Sequence, residues 1–178
     1  MLRLLLPLLL SGPTAEPGGT EVVKAEAEDV DVDAESEPMN GISGRLLMGG
    51  ASVPEEGSFP FVGLGVAYER ELYGLLALEL ALEGVVSPVS QAYLLEAVIE
   101  KPIEINDAVG FYFGGGPTVG LHVVDGRPLA GAGGLAMAGV ELFLGAGMEI
   151  FIEVDTAVIY FDRPIVEFDV GTGVLYRF

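Results

Sequence analysis

IVEFDVGTGVLYRF, residues 165–178, alternates between two kinds of side chain. Counting every second residue from Val166 to Phe178 gives an almost entirely apolar face, which ends in two aromatic residues. Counting from Ile165 to Arg177 gives a face of mostly small or charged residues. A period of two residues is typical of a β-strand whose two faces meet different surroundings. The stretch therefore predicts a long amphipathic strand.

The same alternation recurs along the chain from Gly44 onward. Each further segment carries one strongly apolar face and one face rich in Gly, Ala, Glu and Tyr. Together with the final stretch, the pattern predicts eight strands and an all-β fold. The predicted segments before residue 165 are 44–53, 59–69, 72–83, 91–100, 108–124, 129–143 and 145–155, the last of which we expect to extend as far as Tyr160.

The connections between these segments are short. Asp125-Gly126 is typical of a two-residue hairpin turn, because both positions of such a turn need a positive φ. A loop is expected around Ser87-Pro88, and residues 102–107 are predicted to connect two strands. Pro117, which lies within a predicted strand, indicates a bulge or kink because proline cannot donate to a strand ladder.

The distribution of large and small residues favours a membrane barrel over a soluble one. A closed eight-stranded barrel has room inside for side chains and little else. The Leu, Val, Ile and Phe faces would crowd that interior, whereas the Gly- and Ala-rich faces would fit it. With the large apolar faces directed toward lipid, closure also satisfies every backbone group, which the bilayer demands. A strand of about ten residues is long enough to cross the bilayer at a tilt.

The final strand resembles the last strand of bacterial outer-membrane β-barrels, which commonly ends Gly-x-x-aromatic-x-aromatic. Gly173, Tyr176 and Phe178 match that pattern, while Gly171 stands where the family has a polar residue. The resemblance is to small OmpA-like barrels and covers roughly residues 44–178. It implies an eight-stranded antiparallel up-and-down transmembrane barrel in the bacterial outer membrane. Recognition of the terminal motif by the barrel insertion machinery is also implied, as is a periplasmic location of both termini.

Composition limits the classes of function. The net charge of −19 argues against nucleic acid as a partner, since phosphate binding needs Lys and Arg. The chain has no Cys and therefore no disulfide. The predicted domains are a signal-peptide-like segment (1–15), a disordered acidic linker (16–41) and the barrel (42–178).

Charged residues on the predicted inner faces are the candidate site residues. Carboxylates outnumber arginines there, which predicts an acidic and mostly filled lumen. Glu79 and Glu96 are expected to lie opposite each other across a hairpin, with Tyr112 as a possible hydrogen-bond donor to Glu96. The predicted lumen carboxylates are Glu79, Glu96, Glu141, Glu149, Glu153, Glu167 and Asp169, and the predicted lumen cations are Arg45 and Arg177.

Two functions from different classes remain open. The first is an integral outer-membrane barrel with a structural, anchoring or surface-interaction role, monomeric and in contact with outer-membrane lipid. The second is a soluble exported barrel that binds a small apolar ligand. No enzyme activity is expected, because His122 falls on the inner face and no serine lies at a matching position. No metal or cofactor is expected either. Gly114-Gly115-Gly116 is not a phosphate loop, since no Lys-Ser or Lys-Thr follows it.

Overall fold

The computed structural model describes residues 39–178 except Glu56, Tyr73 and Gly74. The predicted segment 1–15 and nearly all of the predicted linker 16–41 lie outside the described residues. The first strand begins at Asn40, two residues before the predicted start of the barrel. The strands are β1 (Asn40–Val53), β2 (Gly57–Leu72), β3 (Leu76–Val86), β4 (Gln91–Asn106), β5 (Val109–Val124), β6 (Arg127–Gly145), β7 (Met148–Tyr160) and β8 (Pro164–Arg177).

All eight strands form one closed antiparallel barrel in sequence order. Each strand pairs with its chain neighbours, and β1 pairs with β8 to close the sheet. Main-chain hydrogen bonds between Asn40 and Phe178, 2.8 and 3.1 Å long, continue this closure past the end of β8. The predicted fold class is confirmed.

The connections are as short as the sequence predicts, although two details differ. Asp125 and Gly126 have φ values of 49° and 73°, which confirms the two-residue turn. The predicted connection 102–107 is wrong, because β4 continues to Asn106 and Pro102 pairs with Tyr112 of β5. The outward positions of Ile103 and Ile105 there continue the apolar stripe of β4.

Pro117 does not shift the strand register. Glu96 pairs with Thr118 and Ile99 pairs with Gly115, so β4 and β5 keep one register on both sides of the proline. The shift in this ladder lies near its other end, between Glu104 and Asn106. The predicted bulge at Pro117 is therefore wrong, while the predicted kink is not tested by the register, since the ladder lacks the pairs of Pro117 and Gly116 with β4.

The outer surface is apolar around the whole barrel. On β8 the residues predicted to face outward are exposed, with Phe168 at 59%, while Ile165 and Leu175 on the other face are buried. Exposed aromatic residues lie toward both ends of the strands. Tyr68, Tyr176 and Phe178 lie at the end that carries the termini, and Tyr93 and Tyr160 lie at the opposite end. This distribution is typical of interfacial aromatic girdles.

In the part of the chain that the structure describes, no helix is long and apolar enough to span a membrane.

Glycines on the inner faces make room for large inward side chains. A Cβ added at Gly139 would collide with the ring of Tyr112, and one at Gly173 would collide with Phe151. A Cβ at Gly171 would come within 2.6 Å of Glu153 Oε1. The lumen is therefore packed closely enough that the glycines have a steric function.

Candidate functional site

The interior of the barrel is the candidate site, because the charged side chains converge there. Every predicted lumen carboxylate lies on an inward-facing strand position, and most are exposed over less than a tenth of their surface. Further inward carboxylates accompany them, although they were not among the predicted site residues. These include Glu69, Glu83, Glu100 and Asp155, and their position in the alternation was enough to identify them.

Arg45 of β1 organises the central part of the lumen. Its guanidinium group, in a residue only 5% exposed, donates to Glu79 Oε2 at 2.5 Å and to Glu153 Oε1 at 3.2 Å. Glu83 Oε1 lies 3.6 Å from Nη1, and the ring of Phe151 lies 5.9 Å from the guanidinium carbon. One cation thus joins three strands across the interior, and the contacts compensate part of the cost of burying three carboxylates.

Tyr112 of β5 completes the arrangement around Glu153, whose exposure is 1%. The tyrosine hydroxyl donates to Glu153 Oε2 at 2.8 Å, while Arg45 binds the other carboxylate oxygen. The expected donation from Tyr112 to Glu96 is therefore wrong. Because β4 is the neighbour of β5, a contact with Glu96 was the simple expectation, but the ring lies over Gly139 of β6 and reaches β7 instead.

We expect Tyr112→Phe to lower the free energy of unfolding by about 1–3 kcal/mol, because a buried acceptor loses its donor. Tyr93→Phe is the matched control, since Tyr93 faces outward and should change stability by less than about 0.5 kcal/mol. Urea titration of both variants in lipid vesicles measures the difference. Equal effects of the two substitutions would contradict the importance of the Tyr112 hydroxyl.

Arg177 of β8 forms a second network near the end of the barrel that carries the termini. Its Nε lies 2.5 Å from Glu149 Oε1, and its Nη1 lies 2.6 Å from Glu69 Oε1. Glu141 Oε1 is 3.9 Å from Nη2. Arg177 also bonds through its backbone nitrogen to the carbonyl of Gly147, at 2.8 Å. The last strand is thereby tied to β2, β6 and β7.

Glu79 and Glu96 are diagonal neighbours rather than directly opposed residues. Glu79 pairs with Val98, and Glu96 pairs with Ala81. The reason lies in the turn, where Ser87 Oγ accepts hydrogen bonds from the backbone of Val89 and Ser90 and centres the loop one residue later than expected. When the centre of the turn moves by one residue, the pairing of β3 with β4 moves by two residues, so each side chain stays on the same face of the sheet.

A deeper acidic layer lies beyond Arg45, toward the end opposite the termini. Glu83, Glu96, Asp155, Glu167 and Asp169 line a small cavity of about 20 Å³ together with apolar side chains. No side-chain hydrogen bond with another described residue reaches Asp155 Oδ1 or Asp169 Oδ1. Among the described residues, five carboxyl groups and no guanidinium group line this cavity, so any charge that the layer carries is negative and favours cations over anions.

Among the described residues, no group of three or more acidic or histidine side chains has an arrangement that could hold a metal ion. His122 lies near the barrel end opposite the termini and contacts the ring of Phe161 at a centroid distance of 5.3 Å. The hydroxyls of Ser87 and Ser90 are 3.0 Å apart. No hydrogen bond between His122 and either serine occurs among the described contacts.

The residues of the predicted insertion motif occupy one end of β8. Tyr176 and Phe178 face outward and stack on each other, with ring centroids 6.1 Å apart. Gly173 faces inward beside Phe151. The two rings therefore form a continuous aromatic patch on the outer surface at the end that carries the termini.

Comparison with solved structures identifies the fold. Neisserial surface protein A superposes with a TM-score of 0.70 at 12% sequence identity, covering 78% of this chain and 97% of that one. The chain has the fold of the small OmpA-like outer-membrane barrels. Ail, the attachment invasion locus protein of Yersinia pestis, gives a TM-score of 0.55 at 14% identity, covering 80% of this chain and 100% of its own.

The OmpA-like barrel fold also occurs in an enzyme. The outer membrane enzyme PagL matches with a TM-score of 0.54 at 10% identity, covering 74% of this chain and 97% of that one. No protein family model and no curated protein sequence matches this chain. The likeness is therefore one of architecture, and it transfers no functional residue.

Proposed function

We propose that the protein is an integral barrel of the bacterial outer membrane with a structural, anchoring or surface-interaction role. The observation that carries this proposal is the apolar outer surface, on which large residues such as Leu64, Phe168 and Tyr160 are exposed on different strands. Monomeric soluble proteins rarely expose large contiguous apolar patches, whereas lipid covers such a belt at no cost. A soluble ligand-binding barrel would leave the belt in water.

The filled lumen supports a structural role over an open pore. Arg45 and its carboxylate partners bridge the middle of the barrel, and Arg177 with its partners occupies one end. An eight-stranded barrel has little interior width to begin with. We further propose that the protein is monomeric and that both termini lie in the periplasm. Residues 1–15 would act as the export signal, and residues 16–41 would form a disordered acidic linker. The insertion machinery would recognise Tyr176 and Phe178. The proposal includes no catalytic activity.

We expect the folded protein to migrate differently on a detergent gel before and after boiling, because strand pairing in a closed barrel persists in cold detergent. Val174→Pro should abolish the unboiled folded band, since proline removes a ladder hydrogen bond from a strand paired on both sides. Val174→Thr is the matched control and should keep the band. A monomeric, folded protein in buffer without detergent would contradict the membrane assignment.

A further inference from the structure

An apolar cavity opens at the end of the barrel opposite the termini, and we call it the distal mouth. Its volume is about 230 Å³. Part of its wall consists of buried, inward-facing apolar side chains, namely Val53, Phe61, Val85, Ala92 and Ile165. Three of them, Phe61, Val85 and Ala92, pack together with Leu47 as one hydrophobic cluster. The polar residues that also line it include His122, Asp162 and Arg163, the last two being an ion pair with 3.8 Å between Arg163 Nε and Asp162 Oδ1. The wall of the outer part of the lumen is thus more apolar than the acidic layers below it.

One carboxylate lies at the base of this apolar cavity. Glu167 is 7% exposed and lines both the distal mouth and the deeper acidic cavity. The carboxyl groups of Glu83, Glu96, Asp155 and Asp169 lie beneath it, and no cationic side chain of the described part of the chain lines that deeper cavity. The base of the mouth therefore attracts a positive group, while its walls suit an apolar one.

We propose that the distal mouth binds a small amine with an aromatic or alkyl body. The body would lie among Phe59, Phe61 and Ile165, and the ammonium group would point toward Glu167. Size agrees with this occupant, because an apolar cavity of about 150 Å³ is enough for benzene. A cavity of about 230 Å³ then accommodates one ring with a short side chain.

A single-tryptophan reporter tests the site, because the natural chain contains no Trp. Phe59→Trp places the indole at the half-buried wall of the mouth, and Phe168→Trp places it on the outward face of β8. The probe is 4-bromobenzylamine, whose bromine quenches tryptophan fluorescence. In lipid vesicles we expect saturable quenching of Phe59→Trp and a linear, non-saturable decrease for Phe168→Trp, which senses only partition into lipid.

The role of Glu167 is tested by comparing the amine with the neutral 4-bromobenzyl alcohol of nearly the same shape. We expect the amine to bind at least about tenfold more tightly, in the range of a charge-assisted hydrogen bond. Adding Glu167→Gln to Phe59→Trp should remove this preference and leave alcohol binding unchanged. Boiled and unboiled gel samples verify that each variant is folded.

Three results would overturn the proposal. They are linear quenching at Phe59→Trp, equal affinity for amine and alcohol, or a preference that survives Glu167→Gln. If the glutamine variant does not fold, the amine-to-alcohol ratio in Phe59→Trp alone decides the matter. Calorimetric titration of the unsubstituted protein with both compounds gives the same ratio without any reporter, and an absent preference there refutes the site.

Discussion

Arg45→Met is expected to lower the free energy of unfolding by about 3–5 kcal/mol, the largest effect of any single substitution considered. The guanidinium group is the shared partner of Glu79, Glu83 and Glu153, and its removal leaves these carboxylates in a packed interior without a cation. Methionine keeps the length and flexibility of the side chain, so the loss reports the missing charge rather than a cavity.

Two further variants make the Arg45 result specific. Arg70→Met removes an arginine from an exposed position of β2 and should cost less than about 0.5 kcal/mol. Adding Glu79→Gln and Glu153→Gln to Arg45→Met should restore part of the lost stability, because fewer unpaired charges remain buried. Urea titration in lipid vesicles, followed by circular dichroism, measures all three. A loss below about 1 kcal/mol for Arg45→Met would mean that the interior carboxylates are well hydrated.

Val170→Arg is expected to cost about 2–4 kcal/mol, because it directs a cation into the middle of the bilayer. Val170 lies on the outward face near the centre of β8, where it pairs with Met48 and Val154. Val166→Arg is the matched control, since it lies on the same face close to the start of the strand. Near the interface the expected cost falls to about 0–1 kcal/mol.

The dependence on depth separates a membrane barrel from a soluble one. In water, an arginine at either outward position would be solvated and nearly neutral in its effect, so the two variants would not differ. In lipid, their unfolding free energies should differ by at least about 1–2 kcal/mol. Equal and small effects in vesicle-based urea titrations would refute the assignment of the outer face to lipid.

The faces of the strands were predictable from the sequence because the period of two is a local property. Val170 and Asp169 differ by one position, and their opposite environments follow from that alone. The inward direction of Arg45 was predictable in the same way. The ends of the strands were harder to predict from the sequence, as the continuation of β4 through Pro102 demonstrates.

The partners of the interior side chains could not be predicted, because they depend on how strands distant in sequence are staggered around the barrel. Arg45 and Glu153 are 108 residues apart, as are Arg177 and Glu69. The diagonal position of Glu79 and Glu96 follows from where the turn at residues 87–90 is centred. Pattern alone therefore predicted which residues lie inside, and the fold was needed to determine which of them touch.

The pairing of β1 with β8 has a consequence for how the barrel is made. These strands are neighbours in space but lie more than a hundred residues apart along the chain, so their ladder has the highest loop-closure cost in the molecule. Until they meet, both would present unpaired backbone groups to lipid, at several kcal/mol for each unsatisfied group. A partly assembled sheet is thus poorly tolerated in the bilayer, and we expect insertion and closure to occur as one concerted, all-or-none event.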